Sequence, residues 1–211
     1  PNFEDTGGYV QASAGDYGLQ QYTASLTGPV NDEFAYLFAG NWRQQDGWLE
    51  NDTGPDQMSE DGWNLRGKLQ WQPGDDLSVM LTGSHVDRDD RCCAADALQT
   101  DTLLGLLSAS ALPVPKNDAS YWENNIDQRT EFTMNSDMAI LTVDYELAQF
   151  QLTSLSAWNA YDFTSSADAD RSEFDILSFV DDKTSGSAFS QEFRLSSDLE
   201  GPLQYLGGLY Y

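Results

Sequence analysis

The chain has 211 residues, with 10 Lys plus Arg against 35 Asp plus Glu and a formal net charge of −25. That length suits one all-β unit, which often runs to about 200–250 residues. So acidic a chain lacks the basic footprint that a phosphate backbone needs, which argues against nucleic acid as a partner. No run of about 18 apolar residues occurs, so no transmembrane helix is expected. A membrane is not excluded by that, because a spanning strand needs only about 9–11 residues with alternate positions apolar. The acidity itself reads first as a solvated surface, and second as loops that meet divalent ions beside a charged leaflet.

Read with period two, segments 9–17 and 19–27 alternate weakly. From Phe34 onward, Phe34, Tyr36, Phe38 and Trp42 share one parity with Gly40, while Ala35, Ala39, Asn41, Arg43 and Gln45 share the other, with Leu37 as an exception. In segment 63–72, Trp63, Leu65, Gly67, Leu69 and Trp71 alternate with Asn64, Arg66, Lys68, Gln70 and Gln72, the pattern of a strand between two different media. Segments 77–87, 138–147 and 150–163 alternate more weakly. Phe189, Phe193 and Leu195 alternate with Ser190, Glu192, Arg194 and Ser196, and Leu203, Tyr205, Leu209 and Tyr211 close the chain on one parity. The pattern predicts about nine strands of about 9–14 residues, longer than the usual soluble strand of about 5–6.

Connections fall into two alternating sets. Short ones lie at 28–32, 72–76, 147–149 and 199–202, and all but Leu147-Ala148-Gln149 carry Gly-Pro, Pro-Gly or Asn-Asp turn chemistry. Long acidic ones lie at 49–61, 88–130 and 165–185. Gly15-Asp16-Tyr17-Gly18 departs from the alternation, being short yet on the long-loop end. Antiparallel succession then puts tight turns at one end and long loops at the other, the asymmetry of outer-membrane barrels. Phe34, Trp71, Phe150 and Tyr205 lie beside short turns, and Trp42, Trp48, Trp63 and Trp158 lie toward the loops, as two interfacial aromatic belts would. Within the longest loop, 94–111 carries Leu98, Leu103, Leu104, Leu106 and Leu107, which suits a short amphipathic helix.

Gly7-Gly8-Tyr9-Val10 through Gly28-Pro29-Val30 resembles the first barrel hairpin of the TonB-dependent receptor family. Asp46-Gly47-Trp48-Leu49-Glu50-Asn51 resembles its DG-aromatic-x-x-N strand end. Leu65-Arg66-Gly67-Lys68-Leu69-Gln70-Trp71-Gln72-Pro73, followed by Asp75-Asp76-Leu77, resembles its RGKLxWxP strand and DDL. Phe189-Ser190-Gln191-Glu192-Phe193-Arg194-Leu195-Ser196-Ser197 resembles its xSQExRLxS strand, and Gly207-Gly208-Leu209-Tyr210-Tyr211 its GxYY strand. The motifs stand in the family's order over nearly the whole chain.

The resemblance implies an all-β, antiparallel up-and-down transmembrane barrel segment, with short periplasmic turns and long extracellular loops. Residues 1–211 would be the N-terminal part of such a barrel, in the outer membrane of a Gram-negative bacterium. The family's barrel has about 22 strands around a plug. Neither plug nor TonB box is recognisable, so the chain is expected to be a partial barrel within a longer protein. Implied partners are outer-membrane lipid and lipopolysaccharide, the plug, the TonB complex, and a scarce small-molecule cargo such as a ferric siderophore. No catalysis and no cofactor is expected.

Several residues carry chemistry worth weighing. Arg43, Arg66, Lys68 and Arg194 share the polar parity. They would form a basic ladder toward plug or cargo, or pair with acids such as Glu192, Asp144 and Glu146. Tyr121 and Trp122 would stack on cargo or cover the loop helix. Together with Arg43, Arg66 and Lys68 they are the candidate substrate contacts. Cys92 and Cys93 are the only cysteines. They read as a vicinal disulfide or as partners of cysteines elsewhere, rather than as a redox pair or metal framework. His85 lies on the apolar parity near a strand end and reads as interfacial. Acid pairs such as Asp89-Asp90 and Asp181-Asp182 would suit a glycosidase only at a fixed separation with one pKa raised. Two further architectures compete with the importer wall: a small self-contained outer-membrane barrel, which needs an even strand count, and a secreted sugar-binding β-sandwich, with shorter strands and no loop asymmetry.

Overall fold

A computed structural model describes residues 1–92, 123–124, 126–169, 175, 177–197 and 203–211. Its strands, in chain order, are β1 Gly7–Ala14, β2 Gln20–Pro29, β3 Phe34–Gln45, β4 Glu50–Asn51, β5 Glu60–Trp71, β6 Leu77–Asp90, β7 Glu123–Asn124, β8 Glu131–Leu147, β9 Phe150–Asp168, β10 Ser178–Ser197 and β11 Leu206–Tyr210. Nine of them form one sheet in the order β1-β2-β3-β5-β6-β8-β9-β10-β11, each antiparallel to its neighbour. The sheet is open, with β1 and β11 at its edges. It is the up-and-down meander that the alternating segments predict, and no helix occurs among the described residues.

Turn chemistry sets the register locally. Between β1 and β2, Leu19 N–H donates to Asp16 O (3.2 Å) and the two central residues, Tyr17 and Gly18, have φ of 57° and 63°. Both values lie in the left-handed region that a type I′ hairpin demands. Between β2 and β3, Asn31 Oδ1 accepts from the Glu33 and Phe34 amides, each at 2.9 Å, an Asx turn. Only Ala148 and Gln149 separate β8 from β9. The turn at 199–202 lies outside the described residues.

The register sorts every strand into the same two faces. One row reads Leu26, Phe38, Gly67, Gly83, Ala139, Trp158, Phe189 across seven strands. The adjacent row, on the other face, reads Ser25, Ala39, Arg66, Ser84, Met138, Asn159, Ala188. Because the side-chain period is two, a slip of one residue in any ladder would mix the sets.

Two expectations need correction. Strands β8, β9 and β10 have 17, 19 and 20 residues, beyond the expected range. The third long loop, expected over 165–185, is mostly strand, since β9 runs to Asp168 and β10 starts at Ser178. The ladder continues there through a bulge between Phe179 and Asp182. That extension is polar apart from Ala167 and the neighbouring Phe179 and Val180, so a backbone that is still paired leaves no hydropathy alternation to read.

A single sheet layer has nothing to pack against, and its core is correspondingly small. Among the described residues the buried apolar side chains are Ala35, Leu49 and Ile126, and the last two belong to loops. Leu65 and Phe38 on the apolar face are 55% and 53% exposed. A sheet normally buries one face against another layer; here that face is left for a partner medium.

Candidate functional site

The apolar face forms a band of constant height. It runs from Phe34 to Trp42 on β3, Trp71 to Trp63 on β5, Leu77 to His85 on β6, Leu147 to Ala139 on β8 and Phe150 to Trp158 on β9, eight residues apart in every case. At about 3.3 Å per residue, that is about 26 Å along each strand. Aromatics mark both limits. At the turn end Phe34 stacks on Trp71 (centroids 5.9 Å) and Phe150 meets Tyr205 (6.1 Å). At the loop end Tyr22 stacks on Trp42 (5.7 Å) and Trp63 lies against His85 (4.7 Å). His85 Nδ1 also lies 2.7 Å from Asp137 Oδ1 on β8. The band also holds a self-contained polar cluster: Ser156 Oγ donates to Gln191 Oε1 (2.5 Å), and Gln191 Nε2 donates to Ser154 Oγ (3.0 Å) and Glu192 O (3.2 Å).

The opposite face carries the four basic residues singled out from sequence, and the structure divides them. Arg43 is held by Glu60 and donates to Gln45 Oε1 (2.7 Å) and Gln21 Oε1 (3.4 Å). Arg194 is held by Glu192 on its own strand, with Nη2 to Oε2 at 2.9 Å. Arg66 and Lys68 have no carboxylate partner among the described residues. Across the ladder Arg66 faces Ala39 and Ser84, and Lys68 faces Leu37 and Thr82, all neutral. Tyr121, Trp122, Cys93 and the expected loop helix lie outside the described residues; Cys92 is disulfide-bonded. Asp89 and Asp90 are adjacent on a strand and point to opposite faces, so they do not form a facing carboxylate pair.

At the loop end, two loops dock on each other. The loop after β3 folds back on itself through Leu49 and Gln57, with Gln57 N–H donating to Leu49 O (2.8 Å) and Leu49 N–H to Gln57 O (3.2 Å). The segment before β8 then grips it. β4 and β7 pair in parallel, Asp52 N–H donates to Asn124 O (3.1 Å), and Thr130 Oγ1 donates to Gln57 Oε1. Ile126 O accepts from both Asn51 Nδ2 (3.1 Å) and Thr53 Oγ1 (2.6 Å). Leu49 and Ile126 are buried together, with Trp48 and Met58 packed on them. Sequence reasoning missed this cap. The signal was Asn51, the last residue of the Asp46–Asn51 motif, whose amide satisfies a buried carbonyl 75 residues away.

A cleft of about 500 Å³ opens beside the cap, lined by Asp46, Asp56, Glu60, Asp61, Asp89 and Glu131 together with Arg91 and Arg129. Arg129 pairs with Glu131. Below it, Asp90 is 4% exposed. Burial raises its pKa above the ordinary 3.8, against the opposing pull of the paired Arg88 and the Asp61 amide (3.3 Å). No group of metal-ligating side chains is present among the described residues.

An open, antiparallel up-and-down sheet with one apolar band, one polar face, short turns at one end and docked loops at the other belongs to the barrel-wall class of β architecture. No protein-family model and no curated protein matches the sequence. Among solved structures the chain is similar to the copper transporter OprC, with 14% identity and a TM-score of 0.43. That similarity covers 100% of this chain and 37% of OprC.

Proposed function

We propose that this chain is part of the wall of a TonB-dependent receptor in the outer membrane of a Gram-negative bacterium, and that the receptor imports a scarce small molecule. The supporting observation is the apolar band. Five strands keep it to the same eight-residue height, and aromatic pairs bound it on both sides. With strands tilted by about 35–45°, about 26 Å of strand corresponds to about 20 Å of thickness, close to the apolar belt of outer-membrane barrels. A soluble sheet has no reason to give five neighbouring strands the same apolar span. The receptor assignment, the plug and TonB partners, and a cargo such as a ferric siderophore rest on the five motifs. Transport, not catalysis, is the proposed activity.

Site-directed spin labels in the intact protein, reconstituted in lipid vesicles, test the membrane assignment. Labels at Leu69 and Leu141 should be reached by lipid-soluble oxygen, and labels at Gln70 and Ser84 by a water-soluble nickel chelate. Equal exposure of all four positions to the chelate would sink the proposal. Uptake of radiolabelled cargo candidates with and without a functional TonB complex tests the receptor assignment separately.

A further inference from the structure

The two faces exchange character partway along β8 and β9. In the turn-end half, Leu141, Val143 and Tyr145 of β8 share the apolar face with Phe150 and Leu152 of β9. In the loop-end half that same face carries Asn135, Asp137 and Asp162. The opposite face, which elsewhere mixes polar residues with Leu37, Met80, Ile140 and Leu155, there carries Phe132, Met134, Met138, Tyr161 and Phe163, three of them aromatic. The β8–β9 register is continuous from Glu131↔Ser166 to Leu147↔Phe150, so no bulge has rotated either strand. A parity change in an unbroken strand means that the surroundings have changed sides. Beyond the band the first face meets water, and the second offers apolar surface on the inner side of the wall.

The geometry of that surface is specific. The rings of Tyr161 and Phe163 are 15° from parallel with centroids 6.2 Å apart, and Phe132 adjoins Phe163 at 5.8 Å. Tyr161 leans across β10, where its register partner is Gly186. A Cβ at Gly186 would stand 2.8 Å from the Tyr161 hydroxyl oxygen and 2.9 Å from Cζ, so the ring lies over β10 only because that position has no side chain. Arg88, the register partner of Met134, is tied to Asp90, so it does not offer a free cation to an anion. Five side chains are far fewer than the roughly 20–30 residues a side of a stable protein interface, which favours a small molecule.

We propose that Tyr161, Phe163 and Phe132, flanked by the polarisable sulfurs of Met134 and Met138, form a stacking platform for a planar, uncharged aromatic small molecule. Near-parallel rings suit a flat π-system, and thioethers contact ring edges favourably. The proposal rests on the wall assignment only for naming the platform's side as inner; binding needs neither TonB nor transport.

The test is equilibrium dialysis of the intact protein in lipid nanodiscs, with empty nanodiscs subtracted, against 2-naphthol and its saturated counterpart decahydro-2-naphthol. Saturable binding of the planar compound only is expected. Phe163→Ala should weaken it about ten-fold, and Gly186→Ala should weaken it similarly by lifting Tyr161, while Phe193→Ala on the apolar face should leave it unchanged. If Phe163→Ala fails to fold, Phe163→Leu, which keeps apolar volume and loses the ring, decides the matter. Equal binding of both compounds, no saturable binding, or no effect of losing the Phe163 ring overturns the platform. Spin labels that place Leu141 in lipid while naphthol fails to bind would overturn the platform alone.

Discussion

Phe34 and Trp71 are direct register partners across β3 and β5, with rings 16° from parallel. Eight residues farther along the same two strands, Trp42 and Trp63 are again register partners. The two pairs frame the apolar band. Leu69 lies between them on β5, and Gln70 points the other way. A charge at Leu69 therefore meets the band's medium, and a charge at Gln70 meets the polar face. Leu69 lies between the middle of the band and its turn-end limit, so Leu69→Arg is expected to destabilise the folded protein in lipid by about 1–3 kcal/mol, and Gln70→Arg by less than about 1 kcal/mol. Denaturant titration of vesicle-reconstituted protein measures the difference, and equal costs would contradict the band.

Ile126 holds the loop cap together through both its side chain and its carbonyl. Ile126→Ala leaves a cavity against Leu49 and should cost the cap about 2–5 kcal/mol, the usual range for a buried Ile truncated to Ala. The loss is local, because the cap's contacts do not include the sheet's ladders. Amide exchange at Leu49, Asp52 and Gln57 should accelerate while amides of β5 and β6 keep their protection.

Asp90 gives a signed pH dependence. Burial raises its folded-state pKa above 3.8, so between those two values the folded state holds more protons than the unfolded one. The contribution to stability is fully present below 3.8 and is lost as pH rises through the raised folded value. Asp90→Asn, which cannot titrate, should flatten that part of the stability profile. A wild-type profile that instead gains stability with rising pH across the window, relative to Asp90→Asn, would show that Arg88 outweighs desolvation.

Arg43 and Arg66 are predicted to behave differently. Arg43 satisfies Glu60, a half-exposed pair, so Arg43→Ala should change stability by no more than about 1 kcal/mol and leave cargo uptake nearly intact. Arg66 and Lys68 have neutral neighbours across the ladder. Replacing both by Gln should leave stability within about 0.5 kcal/mol of wild type and lower uptake. Uptake unchanged in the double variant would remove the two from the substrate path.

How much of this was legible in sequence depends on whether a residue's environment repeats along its own strand. Trp63 to Trp71 alternates without interruption, and both its parity and its role as a wall strand follow from that run alone. The segment around Met138-Ala139-Ile140-Leu141 blurs, because apolar residues leave one parity and join the other there. Strand β8 therefore read as starting at Met138, when its ladder starts at Glu131. The same exchange hid Phe132, Met134, Tyr161 and Phe163 as a group, since only the β8–β9 register brings them to one place. The cap was invisible for a related reason. Asn51 and Ile126 lie far apart in sequence, and nothing periodic links them.

Period-two patterning and turn chemistry by themselves determined an up-and-down sheet with nine main strands, two unlike faces and a turn end distinct from a loop end. These are local properties: a strand's parity and a turn's φ preferences act over two to four residues. The tertiary structure alone decided the common height of the band, the division of the four basic residues into two with a carboxylate partner and two without one among the described residues, the docking of two loops around Ile126, and the ring platform over Gly186. Each of these depends on which residues stand opposite one another across ladders. That register is a cooperative outcome of all the strands together, and no single segment encodes it.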